Sequence, residues 1–222
     1  MVCVFLIENP KSSSKLSDMK QCALFISICA AMIHPAIAQP PSRISGKPAN
    51  PTASEPVYLS ESALPKGWPA PGPYDQVTKK SYPPYRAAFT PGSSANGGFW
   101  TLFKHIKRNG IPMTAPVEMA MKDEAGRGMK MEQMGFLYQS PEVGKPGADG
   151  EAVNVRDVPA LSVLSYTWQG PRGDAEVAKA RAAIDATLAE KKLKAAGYRL
   201  FGYNSPSVPS KKQTYELQAV LK

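Results

Sequence analysis

Nine of the chain's 22 prolines are crowded into one short stretch: Pro40, Pro41, Pro48, Pro51, Pro56, Pro65, Pro69, Pro71 and Pro73. Each fixes φ and removes a backbone donor, so this stretch forms neither a continuous helix nor a central strand. Residues 39–73 therefore read as an extended, mostly disordered linker. Leu64 and Trp68 are the side chains able to pack its end onto the neighbouring domain. The folded domain is expected over 74–222.

Upstream of the prolines, Met19-Lys20-Gln21 reads as a better start than Met1. An apolar run from Cys22 to Ile33 comes next, then Ala36-Ile37-Ala38, the small-x-small pattern of a signal-peptidase site. The expectation is an N-terminal extension and signal peptide over 1–38, cleavage before Gln39, and a periplasmic or secreted product. The run is short for a bilayer-spanning helix, so no membrane span is expected after cleavage. Cys3, Cys22 and Cys29 all precede Gln39, which leaves the processed chain without a disulfide, a thiolate metal site or a thiol nucleophile. Ile26-Ser27-Ile28 before Cys29 does not resemble a lipoprotein signal. Of 27 basic and 18 acidic residues, three lysines and two acids lie before Gln39, so the remainder carries +8. That excess suits either an anionic partner or solubility alone. No basic stripe or nucleic-acid-binding module accompanies it, so no nucleic-acid partner is expected, and the chain reads as a monomer.

From Tyr74 the pattern is that of regular structure. Strands are expected at 74–82 and 85–90, broken by Pro83-Pro84. Phe99, Leu102, Phe103 and Ile106 share one face of a helix over 97–108, which Asn109-Gly110 ends. Strands are expected again at 115–121 and 131–139, then a polar loop over 141–150. The second half repeats the plan. Strands at 153–157 and 161–168 precede a helix with Asp174 as N-cap, a stripe of Val177, Arg181, Ile184 and Leu188, and Gly197 at its C-terminal stop. Strands at 198–204 and 213–221 close it. The order strand-strand-helix-strand-strand, twice, points to an α+β fold: an antiparallel sheet or barrel of eight strands with two helices on one side.

Four stretches carry a family resemblance. Gly110-Ile111-Pro112-Met113-Thr114-Ala115-Pro116-Val117 resembles the signature of the SOUL/heme-binding protein family. Tyr82-Pro83-Pro84-Tyr85-Arg86-Ala87-Ala88 resembles that family's second strand, and 98–106 its first helix. Gly202-Tyr203-Asn204-Ser205-Pro206 with Lys211-Lys212 resembles its C-terminal stretch. The resemblance covers about 74–221. It implies a distorted eight-stranded antiparallel barrel with two flanking helices and internal pseudo-symmetry. It also implies non-covalent binding of heme or another tetrapyrrole, in an open apolar groove between the first helix and the loop before the last strand. Three departures stand out. No histidine lies upstream of the helix after residue 38, Lys211-Lys212-Gln213-Thr214 replaces the family's Arg-Arg-Asn-Glu, and Asn204-Ser205-Pro206 replaces its Asp-Pro-Pro.

On that resemblance the cofactor-binding candidates are Phe99, Trp100, Phe103, Lys104, His105 and Lys107 from the helix, with Tyr203, Val208, Lys211 and Lys212 from the loop. Trp100 lies about 100° round from Phe99 and beside Lys104 and Lys107 on the wheel. It reads either as a face for a porphyrin, with the ammonium groups on its carboxylates, or as a cap on the barrel edge. His105, on the opposite flank, is the candidate iron ligand. Tyr203 and Val208 offer apolar contact. Lys211 and Lys212 either pair a carboxylate or stay solvated. Pro112 and Pro116 read as architectural. Met113, Met119, Met121, Met129, Met131 and Met134 read as core filling, with soft Cu(I) ligation by Met119 and Met121 as the competing use. A further alternative is sequestration of other amphipathic small molecules. No Gly-x-Ser-x-Gly elbow or His/Cys zinc spacing occurs, so no enzyme is expected.

Overall fold

The computed structural model describes residues 56–91, 95–124 and 128–222. The expected signal peptide and the linker up to residue 55 lie outside them. Among the described residues, eleven strands and α-helices run in order: β1 (Val77–Tyr82), β2 (Tyr85–Pro91), α1 (Ala95–Arg108), β3 (Val117–Glu124), β4 (Gly128–Leu137), β5 (Gly147–Asp149), β6 (Val153–Val158), β7 (Leu161–Gln169), α2 (Asp174–Glu190), β8 (Ala195–Gly202) and β9 (Thr214–Leu221). The strands form one antiparallel sheet in the order β1-β7-β9-β8-β3-β4-β2-β6-β5. Exchanging β1 with β6, β7 with β2, β9 with β4 and β8 with β3 maps the first eight positions onto themselves. The twofold plan is thus a property of the pairing, with β3·β8 at its centre.

Two expectations are corrected. The described residues form nine strands, because β5 forms inside the stretch assigned to a polar loop, where Gly147 and Gly150 have positive φ. The sheet also does not close into a barrel by hydrogen bonding: β1 and β5 are edges. Pro83-Pro84 joins β1 to β2 without offering a backbone N–H, and the two strands do not pair. They are nonetheless brought together, since Trp68 meets Tyr82 of β1 at a tilt and Tyr85 of β2 edge-on, at centroid distances of 4.6 and 5.1 Å.

Strand alternation divides the core into two clusters. The helices cover one face of the sheet. Leu102 and Ile106 of α1 and Ala180, Ile184 and Leu188 of α2 pack there against Met119, Met134, Leu200, Leu217 and their neighbours. The other face holds Tyr82, Tyr85, Phe89, Leu137, Phe201 and Tyr203. Residues 56–73, assigned to the linker, lie across this second cluster. Trp68 is buried there and Tyr58 and Leu64 pack against it. Lys66 N donates to Gln139 O (2.8 Å) and Ala115 N to Ala63 O (3.0 Å). Glu61 accepts from Ser205 N and Oγ, both at 2.8 Å. The prolines exclude regular structure here but not packing.

The second face is unusually polar at its centre. Glu216 is fully buried and accepts from Tyr82 Oη (2.8 Å), Tyr203 Oη (3.0 Å), Ser165 Oγ (2.6 Å) and Lys80 Nζ (3.0 Å). Beside it, Arg199 donates to Gln218 Oε1 and Tyr85 Oη, each at 2.8 Å, and Tyr85 donates to Glu118. Buried charges of both signs are tolerated because each is paired and hydrogen-bonded.

Candidate functional site

The Asn109-Gly110 stop on α1 is observed. Gly110 N donates to Lys107 O, Ile111 N to Ile106 O, and Gly110 has φ 63°, the left-handed residue that such a termination needs. The Gly110–Val117 motif is architectural in its contacts. Thr114 Oγ1 donates to Leu137 O, Ala115 is held by residue 63, and Pro116 directly precedes β3.

The wheel of α1 separates its candidates. Leu102 and Ile106 are buried, Phe99 and Phe103 half-buried, and Lys104 and Lys107 exposed. Trp100 is 57% exposed. Its ring meets Phe99 and Phe103 edge-on, each at 5.7 Å, while Phe99 and Phe103 stack at 6.1 Å. Lys107 Nζ lies 5.9 Å from the Phe103 centroid. The helix thus displays an aromatic strip flanked by two ammonium groups, a surface able to take a flat apolar molecule bearing carboxylates. An indole left exposed while its neighbours are tucked in is what distinguishes this strip from ordinary core.

His105 is placed otherwise than an open iron ligand requires. It is 4% exposed. Nε2 lies 2.7 Å from Tyr138 Oη, and Nδ1 bonds Asp149, which also receives Arg108 and Asn109. Both ring nitrogens are occupied, so an Fe–N bond would first break one of these contacts. Tyr138 and Asp149 were not legible from the sequence, since they lie 33 and 44 residues away and Asp149 comes from the unforeseen β5. The trio borders a cleft of about 470 Å³ walled by the segment from Val143 to Asp149. Burial, with the charge of Asp149, pushes the Tyr138 phenol up to about 12.

The loop candidates do not join α1. Tyr203 is buried in the second cluster and donates to Glu216, on the other face of the sheet from Phe99 and Phe103. Val208 is 9% exposed. Lys211 and Lys212 are exposed in a short 3-10 helix. Tyr203 thus packs away from the α1 strip, while Lys211 and Lys212 keep their ammonium groups in solvent.

The methionines occupy the helix-covered face, around a second cleft of about 350 Å³ between the β3–β4 hairpin and the start of α2. Among the described residues, no group of three or more His, Cys, Asp or Glu is placed to hold a metal ion. No helix of the described residues is long and apolar enough to cross a membrane.

The family model for SOUL heme-binding protein matches residues 73–218. No curated protein matches the chain. Among solved structures, an uncharacterized conserved protein from Listeria innocua aligns with a TM-score of 0.52 at 13% identity, covering 68% of this chain and 94% of that one. A hydrolase from the same organism aligns at 0.51 and 14%, covering 69% and 94%. EcmrR, from its complex with DNA, aligns at 0.52 and 13%, covering 66% of this chain but only 57% of its own. At such identities these likenesses concern the fold alone.

Proposed function

The chain belongs to the SOUL heme-binding protein family, and on that premise we propose that it binds heme or a related tetrapyrrole non-covalently and without catalysis, as a carrier, buffer or scavenger. The observation that carries this reading is the exposed Trp100 strip of α1 with its flanking lysines. The ring lies along Trp100, Phe99 and Phe103, and Lys104 and Lys107 meet its carboxylates. Apolar contact supplies most of the affinity, at about 25 cal/mol per Å² removed from water. Exposed ion pairs add about 0–1 kcal/mol each. The residues fit the porphyrin better than they fit its iron. His105 stays with Asp149 and Tyr138, and bound heme would supply its redox and ligand-binding chemistry without a bond from this imidazole.

Hemin titration followed by absorbance tests the proposal. Saturable binding is expected, weakened at least about fivefold by Trp100→Ala. Lys104→Ala and Lys107→Ala act modestly and chiefly at low salt. The Soret position is expected to be unchanged in His105→Gln. Absence of hemin binding overturns the function, whereas binding indifferent to Trp100→Ala overturns only the placement. The protein is further proposed to be exported and cleaved before Gln39. Intact mass of the exported product checks this, and a chain retaining 19–38 refutes it.

A further inference from the structure

Tetrapyrrole binding on α1 leaves the methionines unused, and the structure divides the five that lie in β3 and β4 into two groups. Met119 and Met134 are core residues, 3% and 4% exposed. Met121, Met129 and Met131 are half-buried and line the 350 Å³ cleft, whose remaining apolar wall is Val177 and Leu200. A β-bulge creates this lining. Ala120 pairs with Gln133, and the next pair is Met121 with Met131, so Glu132 is skipped. Without the bulge, alternation from Met134 would turn Glu132 and Lys130 toward the helices. With it, Met131 and Met129 take their places. Bulges that re-aim side chains are a recognised feature of functional sites.

The cleft also holds a cation with little to bind. Arg172 lines it, exposed, and its Nη1 lies 3.0 Å from Met119 Sδ. Every other arginine among the described residues reaches a carboxylate or an amide oxygen. A thioether is a weak acceptor, so the guanidinium keeps its capacity for a bidentate carboxylate. Lys130, also in the lining, is already paired with Glu124 at 2.9 Å. Asp174 is the carboxylate of the wall, and it bonds none of these cations.

We propose that this cleft is a second ligand site, separate from the α1 strip, for a small amphipathic monocarboxylate. Its apolar body of one or two rings lies against the three thioethers and its carboxylate on Arg172. Methionine suits the role because it is flexible and polarizable and makes favourable contacts with ring edges. The volume lies at the lower end of the range for small-molecule sites, about 300–1,000 Å³.

The test uses 2-naphthoate, followed by its own fluorescence on titration with the full chain, and 2-naphthylmethanol as the uncharged counterpart. One-to-one binding is expected for the acid and much weaker binding for the alcohol. Arg172→Ala should weaken the acid at least about tenfold, and Arg172→Lys should restore part of the loss. Arg172 is exposed, so both variants should keep the wild-type thermal midpoint and hemin spectrum. After mild peroxide treatment, peptide mass spectrometry should find Met121, Met129 and Met131 oxidised before Met119 and Met134, with saturating 2-naphthoate protecting those three. Binding of acid and alcohol with equal affinity, or indifference to Arg172→Ala, would overturn the proposal. So would one-for-one displacement of hemin, which would make the cleft the tetrapyrrole seat. Stoichiometric Cu(I) binding that blocks 2-naphthoate and survives Arg172→Ala would make it a thioether metal site instead, and equally overturn it.

Discussion

A single histidine on an amphipathic helix invites reading as a ligand, and His105 shows what decides the matter. Its ring is oriented by a phenol just past the end of β4 and a carboxylate of β5, and these fasten α1 to the sheet at both places. Asp149 carries most of this role, receiving His105, Arg108 and Asn109 at one oxygen. Its hydrogen bonds, first from His105 and then from Arg108, hold its carboxyl below the usual 3.8. A depressed folded-state value means that the stabilisation is complete above the unfolded value and is lost as pH falls through the folded one. Urea unfolding measured from pH 6 to pH 2.5 should therefore show a shallower acid loss for Asp149→Asn than for wild type. Identical slopes would mean that the carboxylate contributes nothing. At this scale α1's own residues were legible, because a helix sets its faces by local period. His105's partners were not, because nothing local selects them.

Among the elements, β4 is the most constrained. It pairs with β2 and β3, carries the bulge partner Met131, and closes on Gly135, which faces Phe89 across the ladder. A Cβ at Gly135 would stand 2.7 Å from Phe89 Cε1. The Phe89 ring is 4% exposed, with Arg156 over its face at 4.0 Å, and has little room to yield. Gly135→Ala should cost about 1–3 kcal/mol in urea unfolding by overpacking. Stability equal to wild type would mean that the ring moves aside freely. The second helix corrects two assignments at this scale. Gly173 is its N-cap, with Asp174 as the first helical residue, and the helix stops at Glu190 with Lys191 as its C-cap. Gly197 lies instead in β8, at a register irregularity opposite β9. A glycine permits a helix stop, a bulge or a close approach alike, and only the partner strand chose among them. The arginine of the expected stripe does cover apolar surface, lying 4.2 Å over the Tyr198 ring while pairing with Asp185.

For the whole molecule, the segment before β1 behaves as part of the fold. Trp68, Leu64 and Tyr58 cover the second core cluster, and Glu61 steadies the loop at Ser205. A chain begun at Tyr74 should unfold at lower urea than one begun at Gln39. The expected loss is at least about 3 kcal/mol, the scale of deleting one buried tryptophan. Equal midpoints would return the segment to the status of a linker. Periodicity and proline placement were enough to establish two helices, most of the strands, their doubled order and an α+β class, since these follow from φ restrictions and from which faces are apolar. The pairing order, the open edges and the fate of the prolines came only with tertiary structure. So did the aim of Met131, the partners of His105 and the burial of Glu216 beneath Tyr82, 134 residues away. Backbone preference and hydrophobic alternation act within a turn or two of chain. Hydrogen bonds and ion pairs between distant residues form only where the fold has brought both partners within reach, so those partners are chosen by the completed sheet.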